Sequence, residues 1–112
     1  MDKLLIQIET KGSVVVVTVS GRVDSETAPM LDTELTKAVG GSSKLVLDLK
    51  GVEYMSSAGI RAVVKASQAA ESKGGAVKMA SAPELVTSIF YTVGIVDKIK
   101  SYATVDEAVA SF

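Results

Sequence analysis

Leu4, Ile6 and Ile8 alternate with Leu5, Gln7 and Glu9, the period-two pattern of a half-buried strand, and Lys11-Gly12-Ser13 supplies turn chemistry behind it. The next segment, Val14 to Val19, is almost wholly β-branched, which predicts a strand covered on both faces, and the short turn before it predicts an antiparallel hairpin. Beyond Gly21-Arg22-Val23-Asp24 the period lengthens: Leu31, Leu35, Ala38 and Val39 mark one helical stripe, with Thr27 as N-cap, Pro29 in the first turn and Gly40-Gly41-Ser42-Ser43 as the stop. Leu45-Val46-Leu47-Asp48-Leu49 reads as a buried central strand, connected through Gly51-Val52-Glu53 to Tyr54-Met55-Ser56-Ser57-Ala58-Gly59-Ile60. Ile60, Val63 and Val64 then recur at helical spacing, so the two serines sit where strand turns into helix. That helix is predicted to end near Lys73-Gly74-Gly75, and its Ala62, Ala66, Ala69 and Ala70 permit close packing on a sheet.

Val77 and Met79 place another strand within Ala76 to Ala80, and Ser81-Ala82-Pro83-Glu84 has the form of a Ser-x-x-Glu capping box. The helix it opens carries Leu85, Val86, Ile89 and Phe90 and stops at Gly94, with Ile95, Val96 and Ile99 as a short edge segment. Thr104-Val105-Asp106-Glu107 is a second capping box, opening a last helix with Val105, Ala108, Val109 and Phe112. Two strands followed by alternating helices and strands predict an α/β layer structure, a mixed sheet of about four to five strands packed with about four helices. Both Gly-Gly pairs are accounted for as helix stops, so residues 1–112 are expected to form a single domain.

Composition narrows the chemistry. At 112 residues, folding is expected to bury roughly two thirds of the surface of the unfolded chain around an aliphatic core, since there are two Phe, three Tyr and no Trp. Twelve basic against thirteen acidic residues leave a net charge of −1 with no basic block, which argues against nucleic acid as a partner. Gln7 and Glu9 interrupt the opening Leu4-Leu5-Ile6 before a signal-peptide core can form, and no apolar run reaches membrane-spanning length, so no membrane insertion is expected. A cytoplasmic protein is the default expectation, and zero Cys agrees with a reducing compartment. Without His or Cys there is no imidazole base, no thiolate nucleophile and no soft metal ligand. No cofactor is expected: Gly12, Gly40 and Gly74 fit no phosphate-binding loop, which weakens a nucleotide- or lipid-binding reading, and Asp48 has no second carboxylate at metal-binding spacing.

The strand-to-helix junction remains as the candidate site. A serine there serves as an N-cap or as a modifiable hydroxyl, and the two roles are compatible. Asp24 either supports the Thr27 cap or binds a partner; Lys65, Lys73 and Lys78 read as solvated charges, and Arg61 reads the same way or as a partner for a phosphate on Ser57. Gly59 gives up about 0.5 to 1 kcal/mol relative to Ala in a helix, so either a partner's backbone or tight packing on the sheet must require it.

Leu47-Asp48-Leu49-Lys50-Gly51-Val52-Glu53-Tyr54-Met55-Ser56-Ser57-Ala58-Gly59-Ile60, together with Gly21-Arg22-Val23-Asp24-Ser25-Glu26-Thr27-Ala28, resembles the two signature motifs of the STAS domain family, and within it the bacterial anti-sigma factor antagonists. The resemblance covers nearly the whole chain. It implies a partner switch: an anti-sigma factor serine kinase binds the antagonist and phosphorylates it at one serine, a serine phosphatase reverses the change, and the antagonist itself is not an enzyme. By position that serine is Ser57, and Asp24 matches the acid beside it, with Ser56, Ala58 and Gly59 completing the partner-binding surface. Ser56 stands where the family usually keeps Asp and offers a second phosphate acceptor. A non-phosphorylated STAS adaptor in a signalling or transport assembly is the alternative that the resemblance also implies.

Overall fold

The computed structural model describes residues 4–92 and 99–112. Strand β1 (Leu5–Lys11) pairs antiparallel with β2 (Val14–Val23) in the register Lys11↔Val14, leaving a two-residue turn in which Gly12 takes φ 64°. Positive φ at the first turn position matches the right-handed twist of the flanking strands and is open to Gly at little steric cost. Three further strands follow in parallel: β3 (Lys44–Met55), β4 (Ala76–Ala80) and the short β5 (Ser101–Tyr102), giving the sheet order β1-β2-β3-β4-β5. The helices among the described residues are α1 (Ala28–Gly41), α2 (Ser57–Ser72), α3 (Glu84–Thr92) and α4 (Val105–Ala110). This is the mixed sheet with helices that the pattern predicts.

The β-branched run of β2 is covered on both faces because its alternate residues meet different layers. Val17 and Val19 join Leu45, Leu47 and Leu49 beneath Leu31 and Leu35 of α1, Ile60 and Val63 of α2, and Phe90 of α3. Val14 and Val16 point the other way, with Val46 and Ala80, onto Ala108 and the flanking Val105, Val109 and Phe112 of the α4 segment. Strand β1 is only partly covered: Leu4 is buried and Ile6 packs on the core, whereas Ile8 is exposed.

Two local expectations are corrected. The residues Gly51-Val52-Glu53 do not form a loop, because β3 runs on to Met55 against β2. Its register slips by one residue between Thr18 and Ser20 and again between Gly21 and Arg22, so β3 carries the extra residues of two bulges, and Gly21 at φ 105° accommodates the second. Among the described residues Ser81 makes no capping bond: it adopts φ 55° and its hydroxyl donates to the Ala103 carbonyl at 3.2 Å, tying the end of β4 to the β5 side. A short edge strand forms at Ser101–Tyr102, with Ile99 buried before it; Gly94 and the Ile95 and Val96 of the expected edge segment lie outside the described residues.

Two predicted ends form as the chemistry demands. Thr104 Oγ1 accepts from the Glu107 N–H at 3.1 Å, one arm of the expected capping box. At the end of α2, Gly74 takes φ 83° while its N–H donates to Glu71 and that of Gly75 to Ala70, the Schellman arrangement. Gly75 is also a close approach, since a Cβ there would overlap the Ser43 carbonyl.

Candidate functional site

The junction is assembled from the ends of β2 and β3. The Ser56 N–H donates to the Val23 carbonyl at 2.7 Å, which brings the end of β3 beside the loop that begins at Asp24. Ser56 is extended, at φ −80° and ψ 171°, and its Oγ accepts from the Gly59 N–H at 3.3 Å, so it is the N-cap of α2. Ser57 is the first residue of the helix; it is exposed, and its hydroxyl makes no hydrogen bond among the described residues. The two adjacent hydroxyls thus divide the work: one closes the helix and the other faces solvent.

Gly59 resolves in favour of packing. A Cβ built there would lie 2.5 Å from Val23 Cγ1 and 2.9 Å from Met55 Cγ, so the absence of a side chain is what lets the first turn of α2 press onto the ends of the two strands. Gly59 is buried, Ala58 half-buried and Ser57 exposed, a gradient from core to surface within three residues.

Asp24 organises its own loop. Its Oδ1 accepts from the N–H groups of Glu26 at 2.9 Å and Thr27 at 3.0 Å, while Thr27 Oγ1 accepts from the Asp24 N–H and donates to the Arg22 carbonyl. The expected Thr27 cap is therefore corrected: Thr27 has near-helical angles and makes no capping bond to α1, and Asp24 holds the turn instead. The Thr27 N–H, opposed by slight desolvation and aided by the Glu26 N–H and the Arg22 charge, holds the Asp24 carboxyl below the usual aspartate range. Arg22 lies over the Tyr54 ring, 4.8 Å from its centroid, on paired positions of β2 and β3.

Beyond the junction, α1 and α2 enclose a groove of about 490 Å³ lined by Ser25, Ala28, Pro29, Ala58, Arg61 and Ala62 among others. The α1 wall has no signal in sequence, because Ala28 and Pro29 look like ordinary first-turn residues until α2 lies beside them. The cations expected to be merely solvated also have places. Lys65 Nζ sits 3.4 Å from Asp32 Oδ1, Lys73 Nζ donates to the Val39 carbonyl at 2.8 Å, and Lys78 Nζ donates to Ser111 while lying 4.2 Å from the Phe112 ring centroid. Asp48 accepts from the Lys50 N–H at 3.1 Å within its own strand.

An antiparallel hairpin leading into parallel strand–helix units, with a capped and serine-bearing junction after β3, defines an α/β domain of the STAS type. The chain belongs to the STAS domain family, whose model matches residues 6–108. A search of curated proteins returns no significant match. Among solved structures, an anti-sigma factor antagonist from Mycobacterium paratuberculosis is 25% identical, with TM-score 0.89 over 98% of this chain and 94% of that one. The anti-sigma factor antagonist SpoIIAA in its unphosphorylated form is 18% identical, with TM-score 0.82 over 96% of this chain and 95% of that one; its phosphorylated form, from Bacillus, gives TM-score 0.75 at 18% identity over 96% and 98%. The fold also occurs within a larger protein: the murine anion transporter Slc26a9 matches 92% of this chain with 18% of its own length, at 18% identity and TM-score 0.77.

Proposed function

We propose that this chain acts as an anti-sigma factor antagonist, a binding protein captured by an anti-sigma factor serine kinase and released by phosphorylation at Ser57. The observation that carries the reading is the division of labour at the junction: the Ser56 oxygen is occupied as the helix cap, whereas the Ser57 hydroxyl is exposed and unbonded. Phosphate transfer joins the Ser57 oxygen to the γ-phosphorus of ATP, breaks the bond to the bridging oxygen, and releases ADP and the hydroxyl proton. A serine phosphatase reverses it by adding water at phosphorus, which restores the hydroxyl and liberates inorganic phosphate. The added charge, roughly −1.5 to −2, stands at the N-terminus of α2, where backbone N–H groups and the helix dipole tolerate it. Phosphorylation therefore alters the surface that a partner meets, formed by Asp24, Ser56, Ser57 and Ala58 and shaped by buried Gly59, without unfolding the domain.

SpoIIAA, a protein of the same fold described in both phosphorylation states, supports this reading. In it the chain is a kinase substrate working in the cytoplasm and carries out no chemistry of its own. Incubation with the serine kinases of the source organism and ATP, followed by mass spectrometry, tests it: phosphate is expected on Ser57, and a kinase that binds the chain yet modifies neither Ser57 nor Ser56 would sink the switch. The likeness to part of an anion transporter supports a second reading, a fixed adaptor that is never phosphorylated, and the same experiment separates the two.

A further inference from the structure

The groove between α1 and α2 is uneven in its chemistry. Ala28, Pro29, Ala58 and Ala62 give it apolar walls, and two cations stand at its rim. They are not equivalent. Lys65 is answered within the chain, with both Asp32 oxygens 3.4 Å from its Nζ. Arg61 is exposed and has no ion pair or hydrogen bond among the described residues. An apolar trough beside one uncommitted guanidinium complements a segment that carries apolar side chains and a carboxylate, and a basic segment would be repelled.

Arg61 also stands four residues after Ser57 on α2. Side chains at that spacing share a helix face, with Cβ atoms about 5–6 Å apart, and they lean toward the helix N-terminus, so the guanidinium leans toward the turn that Ser57 begins. A phosphoserine there has the oxygens for a two-pronged pairing with that guanidinium. We infer that the groove seats an apolar segment of the anti-sigma kinase bearing a carboxylate that pairs with Arg61, and that phosphate on Ser57 expels the segment by capturing the same guanidinium. The inference rests on the antagonist reading and specifies the partner chemistry of that site.

The intact chain and its Arg61→Lys, Arg61→Gln and Arg61→Glu variants are to be titrated against the purified anti-sigma serine kinases of the source organism. Arg61→Lys is expected to keep most of the affinity, Arg61→Gln to lose about tenfold with a shallower salt dependence, and Arg61→Glu to lose more. Because Arg61 is exposed and bonded to nothing described, circular dichroism is expected to be unchanged throughout. Equal affinity across the series, for a kinase that binds the wild type, overturns the inference and leaves the antagonist reading standing. Failure of every kinase to bind the wild type overturns that reading and the partner assignment with it. A second measurement needs no kinase: with phosphoserine genetically encoded at position 57, phosphorus NMR is expected to show a lower second phosphate pKa in the Arg61 chain than in its Arg61→Gln variant. Identical titrations, or a rise seen only on Arg22→Gln, overturn the capture of Arg61.

Discussion

Ser56 and Ser57 are chemically identical, and one hydrogen bond separates their fates. Ser56→Ala removes the oxygen that accepts from Gly59 and is expected to cost about 1 kcal/mol, seen as a lower denaturation midpoint. Ser57→Ala touches no internal bond; its stability is expected to stay within about 0.5 kcal/mol of wild type while phosphate incorporation disappears. Asp24 gives a pH signature. Its carboxyl is held below the usual range by the Thr27 N–H, so its contribution is fully present above the ordinary aspartate pKa and is lost as pH falls through the lower folded value. The melting-temperature gap between wild type and Asp24→Ala is expected to be constant at neutral pH and to narrow in that acid window. The motif was legible at this scale because residue types alone mark a capped strand-to-helix junction. Which serine caps was not legible, since both can accept from a helix N–H and only the bond from Ser56 N–H to Val23 sets the register. Gly59 had two explanations in sequence, and the nearness of Val23 and Met55 chose between them.

At the level of elements, periodicity carried most of what formed and failed where neighbours overrode local chemistry. The valines of β2 announced two covered faces because no polar residue interrupts Val14 to Val17. Two bulges continued β3 through Gly51, a residue that locally signals a loop; pairing with β2 outweighed that signal. Ser81 has the spacing of a cap, yet the nearby Ala103 carbonyl takes its hydroxyl. Lys78 is the clearest case of a surface charge with a structural task, since its partners, Ser111 and Phe112, lie more than thirty residues away in sequence. Lys78→Ala is expected to loosen α4 by about 1 kcal/mol, read as faster amide hydrogen exchange confined to that helix.

For the molecule as a whole, the sheet brings Asp24 and Ser57 to the ends of adjacent parallel strands, although thirty-two residues of chain separate them. Crossover through α1 produces this neighbourhood, and it also sets the α1 wall of the groove against α2. The seating of Gly59 on Val23 and Met55 has a further consequence, in the time domain. A first turn wedged that tightly has little room to rearrange, so under the antagonist reading partner binding is expected to be limited by encounter and not by a preceding isomerisation. Stopped-flow mixing with the kinase is accordingly expected to give a single exponential whose rate rises linearly with kinase concentration, whereas a plateau would reveal a slow step hidden in the junction.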